Sequence, residues 1–230
     1  MLNLETKNQN QVAPLSILKV EQPKDRRFQN LIGDEAWQQL PKLVRNRFSK
    51  TLSNNRVVYY RGENITLKRN IWGAILAQAL RVVGAPLPVF KEVSLPSVVS
   101  VYEDKDSGGQ IWSRHYQRAQ KPPQVIQSVK KFSGETGLEE YIGFGLSIAL
   151  KPKVSKDTLA FHGHGYHFKF GKLHFKLPKF LEPGHLVVKH HDLGQGDFEF
   201  SLSLRHKIFG ELLFQNAIYH DRPQQDEGKA

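Results

Sequence analysis

Phe198-Glu199-Phe200-Ser201-Leu202-Ser203-Leu204-Arg205 alternates apolar and polar side chains without a break. Successive residues of a strand point to opposite faces of a sheet. Phe198, Phe200, Leu202 and Leu204 therefore share one face, and Glu199, Ser201, Ser203 and Arg205 share the other. Such a strand is buried on one side and wetted on the other, the habit of antiparallel sheets. The pattern recurs upstream. Tyr166, Phe168 and Phe170 alternate with His167 and Lys169. After Gly171 the parity flips: Leu173, Phe175 and Leu177 become the apolar set against Lys172, His174 and Lys176. A one-residue shift would expose a whole face, so Gly171 marks a tight turn or bulge. Further strands are expected over His185–His191 and from Glu211 to Tyr219.

Nearer the front, Val98–Glu103 and Ile111–Tyr116 flank the turn-forming Asp104–Gly109, and Val125–Phe132 follows. In the next apolar run, Ile142, Phe144, Leu146, Ile148 and Leu150 fall on one side and Gly143, Gly145, Ser147 and Ala149 on the other. That second face is stripped of bulk, which lets a covering helix or a ligand approach the backbone. Val57–Tyr60 reads as an earlier strand.

Two helical segments precede most of the strands. Asp34 suits an N-cap, and Trp37, Leu40, Leu43, Val44 and Phe48 lie on one helical face, with Pro41 ending the first turn or opening a second short helix. Asn70–Val83 is an apolar helix containing Trp72 and Leu76, stopped by Gly84 and Pro86. The expected fold is α+β and mainly β: a long curved antiparallel meander sheet of about nine or ten strands, with the two N-terminal helical segments packed on it. Residues 1–26 read as a flexible lead-in, 27–221 as a single domain and 222–230 as a polar tail.

Composition narrows the function classes. The chain has 230 residues, 39% of them hydrophobic, and no Cys. Disulfide and thiolate chemistry are excluded, and a reducing, cytoplasmic setting is expected. The first residues lack a basic start followed by an apolar run, so no secretory signal is expected. No stretch approaches the roughly 20 apolar residues that span a bilayer. The net charge of +11 is uneven: Lys42 to Lys91 holds ten Lys and Arg against Glu63 alone. With Lys68, Arg69 and Arg81 around it, the Asn70–Val83 helix suits contact with an anionic surface.

All ten His lie after residue 114. His162 and His164 sit two apart on an expected strand, with Cα atoms ~7 Å apart, close enough to share a metal. A third ligand is not evident nearby. The other reading is that these histidines occupy the wetted faces of half-exposed strands. No nucleophile elbow, phosphate loop or dinucleotide fingerprint is present, so no catalytic residue and no cofactor is assigned. Aromatic residues interleave with Lys over 166–176, but Phe168, Phe170 and Phe175 lie opposite the lysines and read as core. Nucleic acid is therefore not the expected partner.

Ordered short motifs then accumulate: Phe28–Gly33 ahead of Leu40-Pro41, Tyr60-Arg61-Gly62, the apolar helix ending in Gly84-Ala85-Pro86, Ile111-Trp112-Ser113-Arg114, and Leu177–Pro183 followed by two strands and Phe209-Gly210. In this order they resemble a bacterial family known as domain of unknown function 4166, over roughly residues 28 to 220. Where that family tends to end in a Tyr-x-Gly step, this chain has Gln215-Asn216-Ala217. The resemblance implies no activity. It implies a stand-alone domain or an accessory to reductase-like, nucleotide-binding modules.

The leading expectation is a binding domain that holds an apolar or amphipathic small molecule in the curved sheet beneath the Asn70–Val83 helix. Trp72, Leu76, Trp112, Arg114, Gly143, Gly145 and Ser147 are the candidate contacts. The alternatives are an accessory domain docking on a reductase-type partner or an anionic surface, and a metal-assisted enzyme at His162 and His164.

Overall fold

The computed structural model describes residues 24–221 except 83, 85, 86, 90–93 and 172. Nearly all of the expected lead-in and the whole of the expected tail lie outside this range. Three short helices come first: α1 (Arg27–Ile32), α2 (Asp34–Gln39) and α3 (Lys42–Phe48). Gly33, at φ 85°, breaks α1 from α2, so Asp34 is the first residue of α2 rather than its cap. Pro41 caps α3, where its missing N–H costs nothing.

Next come β1 (Val57–Arg69), α4 (Ile71–Val82), β2 (Pro96–Asp104), β3 (Gly109–Arg118), β4 (Lys121–Lys131), β5 (Glu139–Tyr141) and β6 (Leu146–Ser155). The chain continues through β7 (Thr158–Phe170), β8 (Leu173–Lys176), β9 (His185–Gly194), β10 (Asp197–His206) and β11 (Gly210–His220). All ladders are antiparallel, and sequential strands are mostly neighbours, as a meander requires.

The sheet does not stay open. β1 pairs with β11, and β6 pairs with β7 as well as β5, so ten strands close into a barrel. β8 lies beyond the end of β9 as a short hairpin partner of β7, turning at Gly171 as the parity flip predicts. The expectation of an open curved sheet with helices on its face is thus corrected. Closure removes both free edges, which an open sheet would leave unpaired. Alternation alone cannot distinguish the two, because a barrel interior and a covered sheet face both demand one buried side.

The helices close the ends. Phe28 of α1 meets Phe132 and Phe161 edge-on at 5.0 and 5.9 Å between ring centres, and Phe48 of α3 stacks near Trp112 and packs against His190. The helices α1–α3 therefore plug one mouth. α4 lies against β11, where Gly73 rests on the Leu212 carbonyl; a Cβ there would sit 1.9 Å from that oxygen. Its Leu80 reaches the opposite mouth.

Candidate functional site

At the α4 end the barrel interior is not filled. A cavity of about 90 Å³ lies beneath Leu80, Leu87 and Pro88. Its walls are apolar: Ile126 from β4, Ile148 from β6, Leu186 and Val188 from β9, Phe200 and Leu204 from β10. Polar groups converge from β3, β4, β5 and β11, namely Arg114, Tyr116, Ser128, Glu140 and Gln215. An apolar chamber with a few placed polar groups is the usual form of a small-molecule site.

The polar groups are tied together. Glu140 Oε1 accepts from Ser128 at 2.6 Å and from Lys130 at 3.0 Å, and Arg114 Nη2 reaches it at 3.5 Å. Arg114 Nη1 also donates to Ser128 at 3.1 Å. Burial by itself would raise the Glu140 carboxyl, but Lys130 and Arg114 outweigh it and hold the group at about 2. Burial lowers the Lys130 ammonium, and Glu140 only partly restores it. Lys130 also lies 4.8 Å from the Trp112 ring centre, a favourable place for a cation with few polar neighbours.

Below this cluster is a second space of about 10 Å³, the size of one water, lined by Arg47, Arg114 and His190 among others. Arg47 is stacked on Phe198 at 3.6 Å, with Nε 3.4 Å from Asp221. Its buried guanidinium nitrogens have no hydrogen-bond partner among the described residues. His190 sits in a box of Phe48, Trp112, Phe161, Phe198 and Phe200. Burial, then the charges of Arg47, Lys130 and Arg114, push it well below its ordinary 6.5.

Of the expected contacts, Arg114 alone lines the cavity. Trp112, two residues along the same face, lies deeper, against Phe48 and Lys130. Trp72 is on the outer side of α4, stacked on Phe209 at 4.4 Å, and Leu76 packs on the core without lining the chamber. Gly143 and Gly145 belong to the turn between β5 and β6, not to a strand face; Gly145 has φ 72° and abuts the Lys169 carbonyl. Phe144 is correspondingly exposed, while Ile142 and Leu146 beside it do reach the cavity. Ser147 pairs with His167, out of step with the cavity-lining Ile148 and Tyr166, so it faces away.

His162 has His185 as its nearest imidazole, Nδ1 to Nε2 3.5 Å, rather than His164, which is exposed. Burial lowers His162, which keeps it neutral and able to ligate. Among the described residues, however, no group of three or more His, Asp or Glu is spaced to hold a metal ion.

Glu140, Lys130, Ser128, Tyr116, Gln215 and His190 were not singled out by the sequence. In β4 the inward residues are Ile126, Ser128 and Lys130, while Val125 is half-exposed. Hydrophobicity alone cannot pick the inner face of such a strand. The available signal was register: β3 pairs Arg114 with Ile126 and Trp112 with Ser128, which places Lys130 on the face that holds Arg114.

The fold and site define a closed antiparallel β-barrel with a plugged end, a part-filled interior and a buried charge cluster. A family model for a domain of unknown function, DUF4166, matches residues 40–217, and the chain belongs to that family. No curated protein and no solved structure matches this chain.

Proposed function

We propose that this domain binds a small apolar or amphipathic molecule inside its barrel, entering beside α4. The observation that carries this reading is the cavity of about 90 Å³ with apolar walls and a polar floor. An apolar cavity of about 150 Å³ can hold benzene, and ordinary pockets run to roughly 300–1,000 Å³. The guest is therefore small, or inserts one end of a longer chain. Binding is favoured over turnover because Glu140, the carboxylate at the cavity, is engaged by Ser128, Lys130 and Arg114 and held low, so it is a poor proton carrier near neutral pH. The test is organic extraction of the purified chain with mass spectrometry, beside calorimetric titration with hexanol. Ile126→Phe, which fills the chamber, should abolish binding while leaving the melting temperature unchanged or raised. No extracted molecule and no hexanol binding would overturn the reading.

A second reading concerns the outside of α4. Ile71, Trp72, Ile75 and Val82 are exposed there, Ile208 and Phe209 extend the patch, and Lys68, Arg69 and Arg81 border it. Apolar residues flanked by cations suit the surface of an anionic bilayer. Such a surface would also present amphipathic guests to the mouth at Leu80.

A further inference from the structure

We infer that the barrel selects a small monocarboxylate, bound head-first with its carboxylate on Arg114. The inference rests on the binding reading above and specifies the ligand's charge and orientation.

Three observations support it. Arg114 lines both the cavity and the smaller space beneath it, so its guanidinium marks the floor that a ligand entering past Leu80 reaches last. Its bond to Glu140 is the longest of the three that reach Oε1, at 3.5 Å against 2.6 and 3.0 Å. Glu140 is thus satisfied chiefly by Ser128 and Lys130, and Arg114 retains donor capacity in its planar fork. The charges also do not balance. Arg114 and Lys130 share one carboxylate in this cluster, and the next ionisable groups inward are Arg47 and a neutral His190.

A buried cation without an equal counter-charge is costly, and a ligand carboxylate supplies the missing charge through forked hydrogen bonds. A phosphate would bring a charge of roughly −1.5 to −2 and three oxygens that need donors. Of the polar side chains that line the cavity with Arg114, Ser128 already donates to Glu140 and Gln215 to Asn64, and the walls beyond are Ile126, Phe200 and Leu204. They suit a short aliphatic chain or one ring behind the head group.

The experiment is calorimetric titration of the full chain at neutral pH with hexanoate, benzoate, hexanol, benzyl alcohol and hexyl phosphate. Each acid should bind about tenfold to hundredfold tighter than its alcohol, the worth of a charge-assisted hydrogen bond. In Arg114→Gln that ratio should fall to about one. Equal affinity of acids and alcohols, or a preference that survives in Arg114→Gln, overturns the inference and leaves the binding reading standing. Tighter binding of hexyl phosphate than hexanoate overturns the carboxylate assignment. Failure of every probe to bind overturns both. Should Arg114→Gln not fold, the acid-to-alcohol ratio of the unaltered protein decides.

Discussion

The Lys130 ammonium lies 3.0 Å from the Glu140 carboxylate with both side chains sealed inside the barrel, 2% and 6% exposed. Breaking such a pair leaves an uncompensated buried charge, which typically costs about 3–5 kcal/mol. Lys130→Met should therefore destabilise the domain by about that amount, towards the lower end because Arg114 also reaches Glu140. Replacing Glu140 as well, Lys130→Met with Glu140→Gln, takes the carboxylate from buried Arg114 too and should cost more than Lys130→Met alone. Urea unfolding of the single and double variants checks this; a Lys130→Met variant as stable as a surface Lys substitution would falsify it.

Acid stability should fall in two windows. His190 is held neutral in the folded barrel, whereas in the unfolded chain it takes a proton near its ordinary 6.5. The unfolded state then binds more protons, so stability declines as pH drops below that value. Glu140 acts lower down. Its folded pKa of about 2 lies beneath the ordinary 4.5, so its stabilisation is complete above 4.5 and is lost as pH falls towards 2. His190→Phe should flatten the first window and Glu140→Gln the second, read from unfolding free energy against pH. A His190→Phe profile parallel to the unaltered protein between pH 6.5 and 4.5 would show that His190 protonates in place.

Gly73 sets how closely α4 lies on the barrel. A Cβ would stand 1.9 Å from the Leu212 carbonyl oxygen, so Gly73→Ala must push the helix off β11. Despite the better helix propensity of Ala, overpacking should cost about 1–3 kcal/mol. Because Leu80 of the same helix covers the cavity, amide exchange in α4 should quicken and ligand dissociation should accelerate. Unchanged exchange in α4 would mean that the helix accommodates the methyl group without moving.

The strand pattern was legible because alternation reports one buried face per strand, and it does so whether the sheet is open or closed. Barrel closure was not legible, since the pairing that closes the meander, Arg61 with His220, joins its first strand to its last, and their order along the chain carries no signal of meeting. Arg114 was legible as an inward residue beside Trp112. Its partners were hidden because Lys130 and Glu140 are charged, and charged residues in strands are normally assigned to water. The histidines show the same limit: His164 is at the surface, but His190, read as one of a wetted set, lies in the aromatic centre of the barrel. The turn at Gly143–Gly145 was masked by apolar neighbours that continued the alternation across it.

The exposed face of α4 makes the remaining prediction. Ile75 is 55% exposed and Val82 84%, and Arg69 and Arg81 flank them. On a bilayer the apolar side chains would sink below the head groups while the cations meet anionic lipid. The full chain should float with vesicles of phosphatidylserine and phosphatidylcholine at low salt, and less with phosphatidylcholine alone. Ile75→Glu replaces a side chain whose burial is worth about 1.5–3 kcal/mol, so vesicle affinity should fall roughly tenfold to hundredfold with the fold intact. Raising salt should weaken the unaltered protein's binding by screening Lys68, Arg69 and Arg81. Flotation that ignores both salt and Ile75→Glu would place the membrane contact elsewhere, and no flotation at low salt would leave the α4 patch without a bilayer role.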